Sequence, residues 1–209
     1  VTLDIDNPDA PFDTTAVTAN VGVIYASTQA LYLTDTQYSY ADFSSRTDTV
    51  VHKLKFNDTG TDYVASGAVP GRPLSQYSLG EYQDHLRIAT TNEQYNMRGD
   101  SLSSGVYVLG INGATLDVVG KVENIAPGEK IYSARFLDNR GFLVTFRRID
   151  PLFVMDLSEP TNPRIVGELK VPGYSDHIQL LDDNHLLTIG RDTVESGNFA
   201  WVQGVLLTI

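Results

Sequence analysis

The chain is organised by a repeat of strand-rich units. Three stretches, VPGRPLSQYSL at 69–79, IAPGEKIYSARFL at 125–137 and KVPGYSDHIQLL at 170–181, each separate two β-branched runs. The runs that follow them are HLRIATT at 85–91, GFLVTFR at 141–147 and HLLTIGR at 185–191, and ALYLTDT at 30–36 fits the same slot. These slots start 55, 56 and 44 residues apart. Self-similarity at this period, carried by strands, predicts a propeller or related repeat fold.

The clearest unit runs from 130 to 173. KIYSARFLD reads as a first strand, Asp138-Asn139 as a turn and RGFLVTFRR as a second strand. Asp150-Pro151 interrupts the chain, because proline cannot fill a central ladder position, and LFVMDLS and PRIVGELKV supply the third and fourth strands. A second sign of repetition lies between the third and fourth strands. DLSEPTNP at 156–163 and DIDNPDAP at 4–11 share Asp, then Pro four later, then Pro three beyond. The Asp can accept hydrogen bonds from turn amides while the prolines fix φ at the corners.

The chain therefore reads as an all-β propeller of four-stranded antiparallel blades, three complete (21–69, 73–125 and 130–173) and two partial (1–19 and 175–209), seventeen strands in all. Three units carry a polar excursion between their second and third strands: QYSYADFSSRTD, NEQYNMRGDSLSS and DTVESGNFA. Their shared position projects them from one face, where repeat proteins commonly bind and where exposed loops also simply tolerate insertion. The half-units at both ends leave open edges, so the remainder of the propeller or a second copy is expected to close the ring.

Composition narrows the partners. Fifteen basic against twenty-six acidic residues give a net charge of −11, and 19 of the acids are Asp. That balance argues against nucleic acid, which needs a basic footprint, and offers little attraction to anionic membranes. No apolar run is long enough to span a bilayer as a helix. Without cysteine there is no disulfide, thiolate chemistry or Cys-based metal site.

The string at 128–190, GEKIYSARFLDNRGFLVTFRRIDPLFVMDLSEPTNPRIVGELKVPGYSDHIQLLDDNHLLTIG, resembles a family of bacterial and archaeal secreted proteins with a C-terminal β-propeller domain distantly related to WD40 repeats. YSARF at 132–136, VTFRRIDPLFVMDLS at 144–158 and GELKVPGYSD through NHLLTIG carry the match, and VPGRPLSQYSLGEYQDHLRIATT is similar to the same family. The resemblance implies a propeller and export to the cell surface or beyond. It assigns no catalytic residue. The Trp-Asp and Gly-His dipeptides of true WD40 blades are absent.

Candidate chemistry is sparse. Asp4, Asp6, Asp9 and Asp13 offer hard oxygens but lack the fixed glycine and closing acid of an EF-hand loop, so turn capping is the better reading. His52, His85, His177 and His185 show no metal-ligand spacing, and His85 and His185 occupy equivalent second-strand starts. No serine sits in a GxSxG elbow. Arg147 and Arg148, beside Asp150, read as a latch between blades, while the Arg98-Gly99-Asp100 triplet is too short to imply recognition. Asn57-Asp58-Thr59 is a glycosylation sequon only where a transferase is present.

First strands line the channel of a propeller. Glu81, Arg135, Asp176, His177 and Gln179 fall there and form a candidate polar ring for a small ligand. No catalytic residue, metal or cofactor is assigned. The expected function is a noncatalytic extracellular or cell-surface binding or scaffold propeller recognising a protein, glycan or small ligand. The alternative is a hydrolase or lyase acting on saccharide or peptide through the channel, with His177 beside Asp176 as general base.

Overall fold

The computed structural model describes residues 9, 14–41, 44–58, 60–95, 101–146, 150–171, 174–182, 184–196 and 199–209. Fifteen strands, and no α-helix, occur among them. The half-unit expected over 1–19, the Arg147–Arg148 pair and the Arg-Gly-Asp triplet fall wholly or mostly outside the described residues.

The strands form consecutive antiparallel meanders. The first comprises β1 (Val21–Ala26), β2 (Ala30–Ala41), β3 (Ser44–Phe56) and β4 (Thr61–Pro70). The second comprises β5 (Leu79–Tyr82), β6 (His85–Gln94), β7 (Ser101–Asn112) and β8 (Thr115–Ile125). The third comprises β9 (Lys130–Leu137), β10 (Arg140–Phe146), β11 (Asp150–Asp156) and β12 (Arg164–Val171). A last group of three is β13 (Tyr174–Asp182), β14 (His185–Ser196) and β15 (Phe199–Thr208). Pro151 is accommodated inside β11. It is paired with Lys170 of β12 but lies beyond the last β10 pair, Val144–Leu152, so no central ladder needs its missing N–H.

Meanders stack face to face, the first two also joined at their outer edges by a parallel pair, Ser66 of β4 with Thr115 of β8, and each seam holds its own core. Tyr32, Val51 and Ala65 of the first meet Leu86, Ile88 and Leu109 of the second. Ala89 and Val106 of the second meet Ile131, Leu143 and Met155 of the third. Phe142, Val144 and Leu152 of the third meet Ile178 of the last group. Side chains alternate along a strand, so Leu143 faces one seam while Phe142 and Val144 face the other. Each large aliphatic side chain so buried contributes about 1.5–3 kcal/mol. The last seam leaves a largely apolar cavity of about 380 Å³ between Val144, Leu152, Leu186 and Thr208.

The corners repeat as well. Asn57 Nδ2 donates to Asp62 at 2.8 Å across the β3–β4 corner, and Asn112 Nδ2 donates to Asp117 at 2.7 Å across the β7–β8 corner. The two pairs lie 55 residues apart, the spacing of the β2 and β6 starts. In the third meander, Asp156 accepts from the Ser158 N–H (3.0 Å) and from Arg164 Nη2 (2.7 Å), which is the capping role read from DLSEPTNP. Hydrogen bonds from Ser158, and then from Arg164, hold its carboxyl down to about 2.

Pro70-Gly71 and Pro127-Gly128 carry the chain from one meander to the next. Gly71 has φ +81°, and a Cβ there would lie 2.5 Å from the Thr91 carbonyl, so only glycine fits. Its N–H donates to Thr47 O at 2.7 Å, and the equivalent Gly128 N–H donates to Leu102 O at 2.6 Å.

Candidate functional site

The polar excursions are not loose loops. β2 and β3 stay paired out to Ala41–Ser44, and β6 and β7 out to Gln94–Ser101. β14 and β15 likewise remain paired out to Ser196–Phe199. Their hydrogen-bonded ladder, not burial, keeps these polar strands extended. The first two hairpins also join each other. Ser45 N–H donates to Tyr95 O (2.8 Å) and Tyr95 N–H to Ser45 O (3.2 Å).

That bridge fixes an aromatic surface. Tyr38 and Tyr40 are two apart on β2 and share a side. Tyr40 is directly opposite Ser45, and Ser45 is opposite Tyr95, so Tyr95 joins them on that side. Tyr38, Tyr40 and Tyr95 are 60%, 79% and 51% exposed. Around the base of the hairpins, Glu93 receives Lys130 at 2.9 Å and Arg72 at 3.6 Å, and hydrogen bonding from Lys130 chiefly holds its carboxyl low.

Turns between first and second strands lie at the opposite end of each meander, and there the inner strands surround a cleft of about 510 Å³. Its walls include Tyr25, Tyr77, Arg87, Arg135 and Phe136. The Arg135 guanidinium stacks over Tyr77, 4.7 Å from the ring centroid, and the His177 ring meets the same tyrosine edge-on at 5.5 Å. Tyr77 stands on a 3-10 turn (Gln76–Ser78) that precedes β5, fixed by reciprocal Ser75 and Ser78 caps.

Of the five residues expected around a channel, Arg135 and His177 thus converge on Tyr77. Glu81 also lines the cleft, but its side chain is only 6% exposed and is engaged in the seam between the first two meanders. It accepts from Lys53 Nζ (2.8 Å), Tyr32 Oη (2.7 Å) and Ser27 Oγ, and its own N–H donates to Tyr25 Oη at 3.0 Å. Burial works to raise the Glu81 carboxyl. The bonds from Lys53, Ser27 and Tyr32 outweigh it and hold the group below its ordinary value. Burial, reinforced by the Glu81 hydrogen bond, drives the Tyr32 phenol far up. Asp176 and Gln179 are exposed and do not line the cleft. Asp176 faces Arg191 Nε at 3.6 Å, and Gln179 Nε2 donates to Leu180 O at 3.1 Å.

Sequence reading missed Tyr77, Lys53 and Arg87. For Lys53 a signal was present: in VVHKLKF it shares strand parity with Val51, a core position. Among the described residues no group of three or more His, Asp or Glu could hold a metal ion. His85 and His185 open β6 and β14 and engage Gln83 O (2.7 Å) and Asp182 (2.8 Å), local structural contacts.

Stacked four-stranded meanders with one core per seam define a propeller-type domain. The chain belongs to the beta propeller domain family, whose model matches residues 1–209. It is similar to an uncharacterized protein of Archaeoglobus fulgidus, 47% identical over 131 residues, or 63% of this chain and 19% of that relative. It is likewise similar to an uncharacterized protein of Methanocaldococcus jannaschii, 40% identical over 129 residues, or 62% of this chain and 20% of that relative. The chain thus spans about a fifth of the length of these curated relatives at the matched stretch.

Proposed function

We propose that this chain is part of a noncatalytic extracellular or cell-surface propeller that recognises a protein or glycan through its hairpin face. The observation that carries the reading is the joined pair of hairpins with Tyr38, Tyr40 and Tyr95 exposed on one side. Tyrosine supplies large amphipathic contact area at low entropic cost, and it stacks on sugars and protein surfaces alike. Export, and a C-terminal position of the domain in a longer secreted protein, belong to the same proposal.

In this reading the meanders are three complete blades and the first three strands of another, and further blades of a longer polypeptide close the ring. The last group favours it by turning an apolar side outward: Ile189 and Leu207 are paired and exposed there, and Val205 is 80% exposed. Val202, paired with Thr193 beyond a register shift, continues that side and is 51% exposed.

The binding face is tested on immobilised protein with a glycan array and the surface-protein fraction of its own cells. Alanine at Tyr38, Tyr40 and Tyr95 together should weaken capture by about tenfold or more, the loss expected of aromatic anchors. Arg135→Ala and His177→Ala should leave it unchanged. Capture that survives the triple substitution defeats the reading.

A further inference from the structure

The inner-strand cleft carries an observation that hairpin recognition does not use. Arg87 is only 3% exposed, yet among the described residues it forms no ion pair. Its Nε donates to Gly80 O (2.9 Å) and its Nη1 to Asp138 O (2.5 Å), both carbonyls. The guanidinium is packed between the Tyr82 and Phe136 rings, with centroids at 5.4 and 5.6 Å. Among the described residues Nη2 has no hydrogen-bond partner. Arg135 is also without a carboxylate there and lies on Tyr77.

Arg87 is buried without a counter-ion and Arg135 lies on an aromatic face at the same cavity, so an anion entering there meets two guanidinium groups that no ion pair among the described residues engages. Stacking fixes each guanidinium plane in advance, which suits a planar oxyanion. Charge then selects the oxyanion. Lys53 already neutralises Glu81 in the wall, and Asp138 is exposed at the rim, so the lining retains one net positive charge. A monoanion matches this; a phosphate dianion would leave the site with an excess negative charge beside Asp138. The volume, about 510 Å³, is that of a small-molecule site. Burial pushes the Arg87 guanidinium down to about 10, which leaves it charged at neutral pH.

We propose that the cleft is a second binding site, separate from the hairpin face, which takes a small monoanionic carboxylate between Arg87 and Arg135. The site goes beyond the hairpin reading and does not depend on it.

Calorimetric titration tests the assignment with lactate, benzoate and galacturonate, each against its uncharged amide, and with inorganic phosphate. At least one carboxylate should bind, with its amide weaker by about tenfold or more. Arg135→Gln should cost a similar factor with an unchanged melting temperature, and the triple tyrosine variant should bind as the parent does. Arg87→Lys serves as a second probe if it folds. Binding of none of the three carboxylates, equal binding of acid and amide, preference for phosphate, or indifference to Arg135→Gln overturns the proposal.

Discussion

Replacing Lys53 with Met lowers the stability of the domain by about 3–5 kcal/mol, the cost of leaving a buried charge without its partner. Lys53 and Glu81 are 2% and 6% exposed in their side chains and 2.8 Å apart, on β3 and β5 of consecutive meanders. The ammonium also lies 5.3 Å from the Tyr32 ring centroid. Methionine fills the space of the lysine stem but supplies no charge. Glu81 then retains only the Tyr32 and Ser27 hydroxyls against its desolvation. Combining Lys53→Met with Glu81→Gln removes the charge, keeps an amide oxygen to accept from Tyr32 Oη, and turns the second position into an NH2 that can donate to Ser27 Oγ, so the double variant should recover a large part of the loss. Chemical denaturation of the four proteins of this cycle measures it. A double variant no more stable than Lys53→Met would show that packing, not charge, sets the cost.

The same pair predicts opposite responses to acid. In the parent, the folded Glu81 carboxyl lies below its ordinary 4.5, so its stabilisation is complete above that value and is lost as pH falls through the folded value. Without Lys53, burial becomes the dominant influence and raises the group instead. Protonation then relieves the unpaired charge, and Lys53→Met should gain stability relative to the parent as pH is lowered toward 4.5. Denaturation midpoints at several pH values should therefore converge. Parallel curves would mean that Glu81 is not the titrating group.

Strand content was legible because alternation and turn chemistry act over a few residues. Asp138-Asn139 turns the chain where the sequence places it, and His85 and His185 open second strands. Polarity hid the length of the hairpins: Gln37–Ala41 reads as loop because nothing in it seeks a core, yet its pairing with β3 satisfies the backbone. SQYSL reads as the beginning of a strand, whereas the Ser75–Ser78 caps make a turn of it and confine β5 to four residues. The site was legible only in part. Arg135 and Glu81 could be placed on inner strands, but their partners come from elsewhere. Lys53 reaches Glu81 across 28 residues, and Arg135 finds Tyr77 across 58, separations that local periodicity does not encode.

Gly120→Val should destabilise the domain by an amount at the upper end of about 1–3 kcal/mol, because the atoms in its way are backbone. A Cβ at Gly120 on β8 would lie 2.1 Å from Pro160 O and 2.7 Å from Pro163 Cδ, both in the β11–β12 corner. Gly67 on β4 shows the same relation one meander earlier, with Leu116 O at 2.0 Å at the start of β8. In both seams an outer-strand glycine admits the third-to-fourth-strand corner of the next meander. Gly167 stands at a corresponding place on β12, but only Val154, of its own meander, comes within 4 Å, at 3.8 Å or more. Gly167→Val should therefore change stability by less than about 0.5 kcal/mol, or raise it through strand propensity. In a polypeptide that adds a fourth strand after β15, the arriving corner should crowd Gly167 as Pro160 crowds Gly120. The substitution would then become costly in the longer protein alone. Thermal denaturation of both variants in both lengths separates the cases. A Gly167→Val cost equal in the two lengths would remove outer-strand glycine as the mark of a seam, while a cost confined to the longer protein would locate the next meander against β12.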